Sequence, residues 1–266
     1  MDIGLQDRGA LVVGASGSIG RAIVVSLLAE GAAVIAGGRS RDRVERALGP
    51  NASALRGVVE LDLTDDRSIE KGVQAAEEIL AGGVEVLVST VAGESPYGPV
   101  WETERSSWSD TVALKLAGVS KLSTEVAQRM VARRDGVIVN LIGVASDVVV
   151  LNNPVGSATN AALKQLTRTL AGELAPWGVR VVGISPGMTA GPRVDRFGGA
   201  DLEKILASLP MRRIGQPEEM ASVVTFVASR AASYLTGEVI AVDGGMTLVG
   251  MRGASTNFAV DSGERA

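Results

Sequence analysis

The chain has 266 residues, 46% of them hydrophobic, and a formal net charge of −4 at pH 7. This length and apolar content fit one large α/β domain, and the acidic balance argues against a nucleic-acid partner, which usually needs a basic face. Histidine and cysteine are absent from the sequence, which excludes disulfides, thiolate chemistry and a Ser-His-Asp triad. We therefore expect no metal site, and acid–base chemistry must come from Asp, Glu, Lys, Tyr or water.

Hydropathy predicts neither a membrane span nor an export signal. The most apolar long segment, Val137–Leu151, is interrupted by polar residues before it reaches the roughly 18 residues that a membrane helix needs. The first ten residues lack a basic start followed by a long apolar stretch, so no secretory signal is expected. These features predict a cytoplasmic protein whose partner is a small molecule rather than a nucleic acid or a membrane.

Short apolar runs alternate with longer helical patterns, which predicts a parallel β-sheet covered by helices on both faces. Seven strands are predicted, at Ala10–Val13, Ala33–Ala36, Val58–Leu61, Val84–Val88, Val137–Leu141, Val179–Ile184 and Val239–Val242. Helices are predicted at about Ile19–Leu28, Arg67–Leu80, Ser106–Arg133, Val155–Leu174 and Pro217–Val227. The pattern indicates an α/β fold, a doubly wound Rossmann-type domain over residues 1–250, followed by a polar tail, Met251–Ala266.

A glycine-rich turn, LVVGASGSIGRAI over residues 11–23, joins the first predicted strand to the first predicted helix. Three glycines at this point allow a tight turn, close approach of the backbone to a pyrophosphate, and packing of the helix on the strand. The helix start also presents free N–H groups to a phosphate. The turn could be purely structural, but the flanking strand and helix favour a dinucleotide site. The expected contacts are Gly14, Ser16, Gly17, Ser18, Ile19 and Gly20.

The end of the second strand indicates which dinucleotide is bound. A protein that binds NAD usually has Asp or Glu there, and its carboxylate bonds the ribose 2′-hydroxyl. This chain has Gly37 and Gly38, followed by Arg39, whose guanidinium suits a 2′-phosphate. We therefore predict NADP(H), with NAD(H) as the alternative cofactor and a solvated surface arginine as the alternative role of Arg39.

Several further motifs resemble those of the short-chain dehydrogenase/reductase family, from about Leu5 to Leu248. The segments Arg213–Glu219 and Leu235–Gly245 are similar to family motifs almost without change. By resemblance, Asp62 corresponds to an aspartate that contacts adenine, Ala92 and Gly93 to the end of an NNAG motif, and Ser185–Gly187 to a loop beside the nicotinamide. The resemblance implies a homotetramer and extends the cofactor site to Asp62, Leu63, Ala92, Gly93, Pro186, Gly187 and Thr189.

The proton chemistry of that family depends on Asn, Ser, Tyr and Lys, and the resemblance assigns all four to changed positions. Tyrosine corresponds to Gly156, lysine to Asn160, serine to Gly143 and asparagine to Lys115. Since glycine cannot donate a proton and asparagine carries no charge, carbonyl reduction by the usual route is not expected. General acid catalysis contributes roughly 10²–10⁴-fold, so a substitute would be needed. The two glycines are also expected to enlarge the pocket above the nicotinamide.

Substitute groups are expected where the carboxyl ends of the strands converge, which is the usual ligand crevice of this architecture. The candidate catalytic residues are Tyr97, Lys115, Ser146 and Asp147, with Asn152, Asn153 and Thr189 as further polar groups. Each has a structural alternative, such as a turn contact, a solvated carboxylate or a lysine bonded to backbone carbonyls. Lys164, one turn beyond Asn160, is expected to lie too far along its helix to reach the ribose.

Two hypotheses on function remain open at this point. The first is an NADP(H)-dependent oxidoreductase with a rearranged active site, acting on a small carbonyl, imine or enone compound. The second is a non-redox enzyme on the same scaffold, such as an isomerase, cyclase or lyase, or a catalytically silent subunit that pairs with an intact member of the family. Retained cofactor motifs favour the first, and the four changed positions favour the second.

Overall fold

Seven parallel strands form one sheet in the computed structural model, which describes residues 3–91, 97–195 and 198–249. The strands are β1 (Gly9–Val13), β2 (Ala33–Gly38), β3 (Gly57–Glu60), β4 (Val86–Ser89), β5 (Gly136–Leu141), β6 (Val179–Pro186) and β7 (Val239–Val242). Their order across the sheet is β3-β2-β1-β4-β5-β6-β7. The chain therefore reverses its direction of winding between β1 and β4, and in open α/β sheets ligands bind at this reversal.

Helices cover both faces of the sheet. They are α1 (Ser18–Ala29), α2 (Arg41–Leu48), α3 (Asp66–Ile79), α4 (Arg105–Val112), α5 (Val119–Arg133), α6 (Pro154–Leu174), α7 (Gly199–Ser208), α8 (Pro217–Ala228) and α9 (Met246–Val249). A π-helical segment, Ala113–Gly118, joins α4 to α5 without a break. In the part of the chain that the structure describes, the helices include none that is long and apolar enough to cross a bilayer.

Two apolar cores lie on opposite faces of the sheet, because successive side chains of a strand point to opposite sides. In β1, Ala10 and Val12 pack with α1 and α8, whereas Leu11 and Val13 pack with α3, α5 and α6. Since both faces are covered, the strand is apolar throughout, as the sequence predicts.

The predicted fold class, a single α/β domain with a seven-stranded parallel sheet, is confirmed, and the predicted strands differ from the observed ones by only one or two residues at their ends. Three helices were missed, α2, α7 and the four-residue α9. The sequence of α2, RDRVERAL, buries only Val44 and Leu48, so its apolar periodicity is too short to stand out. The tail beyond residue 250 lies outside the described residues.

Candidate active site

A cleft of about 450 Å³ opens at the carboxyl ends of β1, β4, β5 and β6. Its wall includes Gly17 from the glycine-rich turn, Ile142 after β5, and Thr189 after β6. Most of the lining is apolar. Among the lining residues that the structure describes, Lys115 and Arg193 carry charge and none is acidic. The cleft is thus a largely apolar chamber at the reversal of the sheet, and its described lining includes two basic residues.

The glycine-rich turn has the geometry of a phosphate cradle. Gly14 has a φ of +87°, and a Cβ there would lie 2.5 Å from the Thr90 Oγ1, so only glycine fits without distortion. The Thr90 hydroxyl lies 3.0 Å from the carbonyl oxygen of Val13 and 3.1 Å from that of Gly14, which holds the turn against β4. Gly17 precedes α1, and no side chain caps the first N–H groups of that helix. These donors fit a pyrophosphate, and the predicted contacts Gly17, Ser18, Ile19 and Gly20 line the cleft.

The strand ends beside this turn carry the other predicted cofactor residues. Arg39 is exposed at the end of β2. Asp62 accepts hydrogen bonds from the backbone N–H of Thr64 at 2.9 Å and from its hydroxyl at 2.8 Å. The backbone N–H of Thr64 is the main cause of a lowered pKa of Asp62, and the charge of Arg39 acts in the same direction. Pro186 and Gly187 line the cleft on its other side, whereas Ala92 and Gly93 lie outside the described residues.

Lys115 and Asn160 meet inside the cleft. The Lys115 side chain comes from the π-helical segment, is 9% exposed, and its Nζ donates hydrogen bonds to the Ile142 carbonyl oxygen at 2.8 Å and to Oδ1 of Asn160. Both acceptors are uncharged. Burial is therefore the main cause that lowers the pKa of Lys115 to about 8, and the positive charge of Arg193 adds to it. An amine with this pKa exchanges protons readily near neutral pH.

Two side-chain amides occupy the space beside the glycines of the cleft. Gly143 has a φ of +115°, and a Cβ there would lie 3.0 Å from Nδ2 of Asn160. A Cβ on Gly156 would lie 2.5 Å from Oδ1 of Asn153, a residue that is 8% exposed and lines the cleft. Asn153 and Asn160 thus occupy part of the space beside the two glycines, and the enlargement of the pocket stays a prediction.

The other candidate catalytic residues are divided between the cleft and its surroundings. Tyr97 lines the cleft and is 49% exposed. Ser146 and Asp147 lie outside the lining: the Ser146 hydroxyl is 2.7 Å from Oδ2 of Asp147, and the other carboxylate oxygen pairs with Lys164. Partial burial acts to raise the pKa of Asp147, but the hydrogen bonds from Lys164 and Ser146 hold it below its usual value. Catalytic roles for Ser146 and Asp147 therefore stay predictions, with less geometric support than Lys115 has.

Two residues of the cleft were missed from the sequence. Arg193 follows β6 in a segment that gave no pattern beyond an irregular loop, so no signal pointed to it. Thr90 precedes the Ala92–Gly93 motif and was not singled out, although its hydroxyl holds the glycine-rich turn. The contact between Lys115 and Asn160 had a signal: the two residue types stand in each other's place relative to the family pattern.

The chain matches the family described as enoyl-(acyl carrier protein) reductase over residues 14–247. The 3-oxoacyl-[acyl-carrier-protein] reductase of Thermotoga maritima is 34% identical over 251 residues, which cover 92% of this chain and 99% of that protein. A solved short chain dehydrogenase/reductase family protein has a TM-score of 0.84 and 35% identity, and covers 94% of this chain and 100% of its own. Gluconate 5-dehydrogenase from Burkholderia cenocepacia, solved with NADP and tartrate, has a TM-score of 0.85 and 25% identity. The match covers 93% of this chain and 98% of that protein.

Proposed function

Because the chain belongs to the short-chain dehydrogenase/reductase family of oxidoreductases, we propose that it is an NADP(H)-dependent enzyme that reduces a small carbonyl, imine or enone compound. One observation carries the proposal. A single cleft joins the uncapped start of α1, the loop after β6, and the buried amine of Lys115. Cofactor-binding groups and a group that can move a proton therefore face the same volume.

The residues present fit NADP(H). The first N–H groups of α1 would hold the pyrophosphate, Arg39 would pair with the 2′-phosphate, and Pro186–Thr189 would lie against the nicotinamide. When bound, this cofactor supplies the hydride. A related gluconate 5-dehydrogenase was solved with NADP, which supports the choice of dinucleotide.

Lys115 is the proposed source of the proton that balances hydride transfer. Its two hydrogen bonds, to the Ile142 carbonyl and to Oδ1 of Asn160, fix Nζ at the cleft wall. With a pKa of about 8, the amine is mostly protonated at pH 7 and is a stronger acid than an ordinary lysine. In the family pattern, asparagine stands at position 115 and lysine at position 160, and this chain has the two residue types exchanged. One amine and one amide are therefore still present, but the amine comes from the π-helical segment and the amide from α6.

The test is stopped-flow absorbance at the NADPH band with a panel of carbonyl, imine and enone compounds. We expect NADPH oxidation with at least one class, and a rate that falls as the pH rises through about 8, because the neutral amine no longer donates a proton. Oxidation of bound NADPH by none of the three classes would count decisively against a reductase.

Arg39→Ala is expected to weaken NADPH binding by about 10–100-fold and to leave NADH binding nearly unchanged. A hydrogen bond to a charged group is worth about 1.5–3 kcal/mol, and only NADPH has the 2′-phosphate that Arg39 would contact. Titration of cofactor fluorescence measures both dissociation constants. Arg46→Ala is the matched control, because Arg46 is also an exposed arginine but lies in the last turn of α2. If the variant weakens the binding of NADPH and NADH equally, Arg39 does not contact the 2′-phosphate.

A non-redox role is the second candidate, and Gly156 is the observation that favours it. Asn153 fills the space beside this glycine, so no phenol can stand there in the present arrangement. A silent subunit would need an active relative, so co-expression with an intact family member followed by size-exclusion chromatography with light scattering is the test. If this chain alone forms a homotetramer that turns over substrate, the silent-subunit hypothesis is excluded. If it forms a stable complex with the intact relative and has no activity by itself, the hypothesis is supported.

A further inference from the structure

Lys115 differs from the neighbouring lysines in the charge of its partners. The Lys121 Nζ donates to carboxylates of Glu70 and Glu125, and Lys164 pairs with Asp147. Lys115 has a backbone carbonyl and a side-chain amide instead. A carboxylate stabilises the ammonium form, whereas burial against neutral acceptors favours the free amine. Lys115 is therefore the amine among these three that is suited to act as a nucleophile near neutral pH.

We propose that the Lys115 Nζ captures small aldehydes and ketones as an imine inside the cleft. This activity goes beyond the proposed hydride transfer and needs no cofactor. The amine lines a chamber of about 450 Å³ whose wall includes Val144, Ile205 and Met246. Such an apolar wall disfavours the ammonium form of the amine, and the positive charge of Arg193 acts in the same direction.

The hydrogen bonds of Lys115 leave its nitrogen able to attack a carbonyl carbon, which is the first step of imine formation. A neutral amine has two N–H groups and one lone pair, and the carbonyl oxygen of Ile142 and Oδ1 of Asn160 can accept both N–H groups. The lone pair is then left to attack a carbonyl carbon. The C–N bond forms as the π bond of the carbonyl breaks, and one N–H proton passes to the carbonyl oxygen to give a carbinolamine. The C–O bond then breaks, and the hydroxyl leaves with the second N–H proton as water, which gives the C=N bond and ends both hydrogen bonds of the nitrogen. One amine and one carbonyl give one imine and one water, and nothing is oxidised or reduced.

The charge of the cleft also selects the carbonyl compound. The described lining offers no carboxylate that could pair with an ammonium group, so the cleft does not favour a cationic compound. The occupant we expect is a small neutral or anionic aldehyde or ketone with an apolar chain that fits beside Val144 and Met246.

Reductive trapping tests the proposal. The full chain, without NADPH, is incubated with propanal and sodium cyanoborohydride at pH 7.5, digested, and mapped by mass spectrometry. A pKa of about 8 leaves about a quarter of the amine neutral at this pH, against about 0.1% for an ordinary lysine. We expect propyl labelling of Lys115 at least about tenfold above that of Lys121 and Lys164, with a rise that levels off above pH 8. Equal labelling of the three lysines overturns the proposal.

Asn160→Asp is the sharpest variant, because it keeps the shape of the side chain and gives Lys115 a counter-ion. We expect labelling of Lys115 at pH 7.5 to fall by about tenfold or more, with its pH midpoint moved upward. Lys121→Met changes a surface ion pair away from the cleft and is the control, for which unchanged labelling of Lys115 is expected. Unchanged labelling and pH midpoint in Asn160→Asp would contradict the proposed role of neutral partners.

The outcomes separate this proposal from the reductase. Uniform lysine labelling with normal NADPH oxidation overturns imine capture and leaves hydride transfer standing. Selective labelling of Lys115 with no NADPH oxidation by any compound class supports imine capture and overturns the reductase.

Discussion

Lys115→Met is expected to lower kcat for NADPH oxidation by about 10²–10⁴-fold, which is the usual contribution of a general acid. The buried Nζ is the proton donor that we propose, it donates two hydrogen bonds in the cleft, and methionine keeps the length of the side chain without the amine. Steady-state kinetics at pH 7 with the best substrate of the panel measure the effect. Lys121→Met is the matched control, since its amine pairs with Glu70 and Glu125 away from the cleft. A loss smaller than about tenfold would assign the proton to another group, with Tyr97 as the next candidate.

The same variant should change how stability depends on pH. The pKa of Lys115 is about 8 in the folded chain and 10.5 in its ordinary state, so between these values the unfolded chain binds more protons. The free energy of unfolding contributed by this group therefore rises with pH across that window, by up to about 3 kcal/mol. Urea unfolding at pH 8 and pH 10 measures the difference between the wild type and Lys115→Met. An ammonium that kept its ordinary pKa would give the two proteins the same pH slope.

The second large effect is expected when the family's residues are put back at three positions. Gly143→Ser, Gly156→Tyr and Asn160→Lys together should lower the free energy of unfolding by about 3–6 kcal/mol and the Tm by roughly 10 °C or more, without ketoreductase activity. Position 143 has a φ of +115°, which strains any side chain, and Asn153 lies 2.5 Å from the Cβ that Gly156 would gain. The new lysine would also place a second ammonium beside Lys115.

A five-residue variant provides the matched comparison, because it adds Lys115→Asn and Asn153→Ala to those three changes. It removes the second ammonium and the clash beside position 156, so we expect it to be more stable than the three-residue variant and to gain ketoreductase activity. Thermal unfolding and NADPH oxidation with a simple ketone measure both effects. If the three-residue variant is as stable as the wild type and reduces the ketone, Asn153 and the φ of Gly143 do not hinder larger side chains at positions 156 and 143 as we expect.

The sheet could be predicted from the sequence because its strands are buried on both faces, and unbroken apolar runs such as GALVV in β1 mark them directly. The glycine-rich turn was found for a similar reason, since its spacing between a strand and a helix is a local property. Helix α2 was missed because only two of its eight residues are buried, which leaves an apolar pattern too short to recognise. Its stability depends on Val44 and Leu48 reaching a core that the sequence alone does not locate.

The contents of the cleft were harder to predict, because they depend on contacts between residues distant in the chain. Lys115 and Asn160 are 45 residues apart, and their hydrogen bond requires the helix through Ala113–Gly118 to present the lysine at one rotation about its axis. The pairing of Asp147 with Lys164 likewise follows from how α6 packs beside the end of β5. The sequence identifies the residue types in both pairs, but it does not predict which residues come into contact.

The π-helical segment changes the number of residues in the long helix that contains Lys115. A π turn uses one residue more than an α turn, so the helix from Arg105 to Arg133 contains an insertion that its ends do not reveal. Deleting one residue within it would restore a plain α-helix and leave the flanking turns in the same orientation, so the side chains inside the segment, Lys115 among them, would change direction. Whether position 115 reaches the cleft is therefore set by the length of this helix as well as by the identity of its side chain. A chain of this kind that is one residue shorter here could contain the same lysine and present it to solvent.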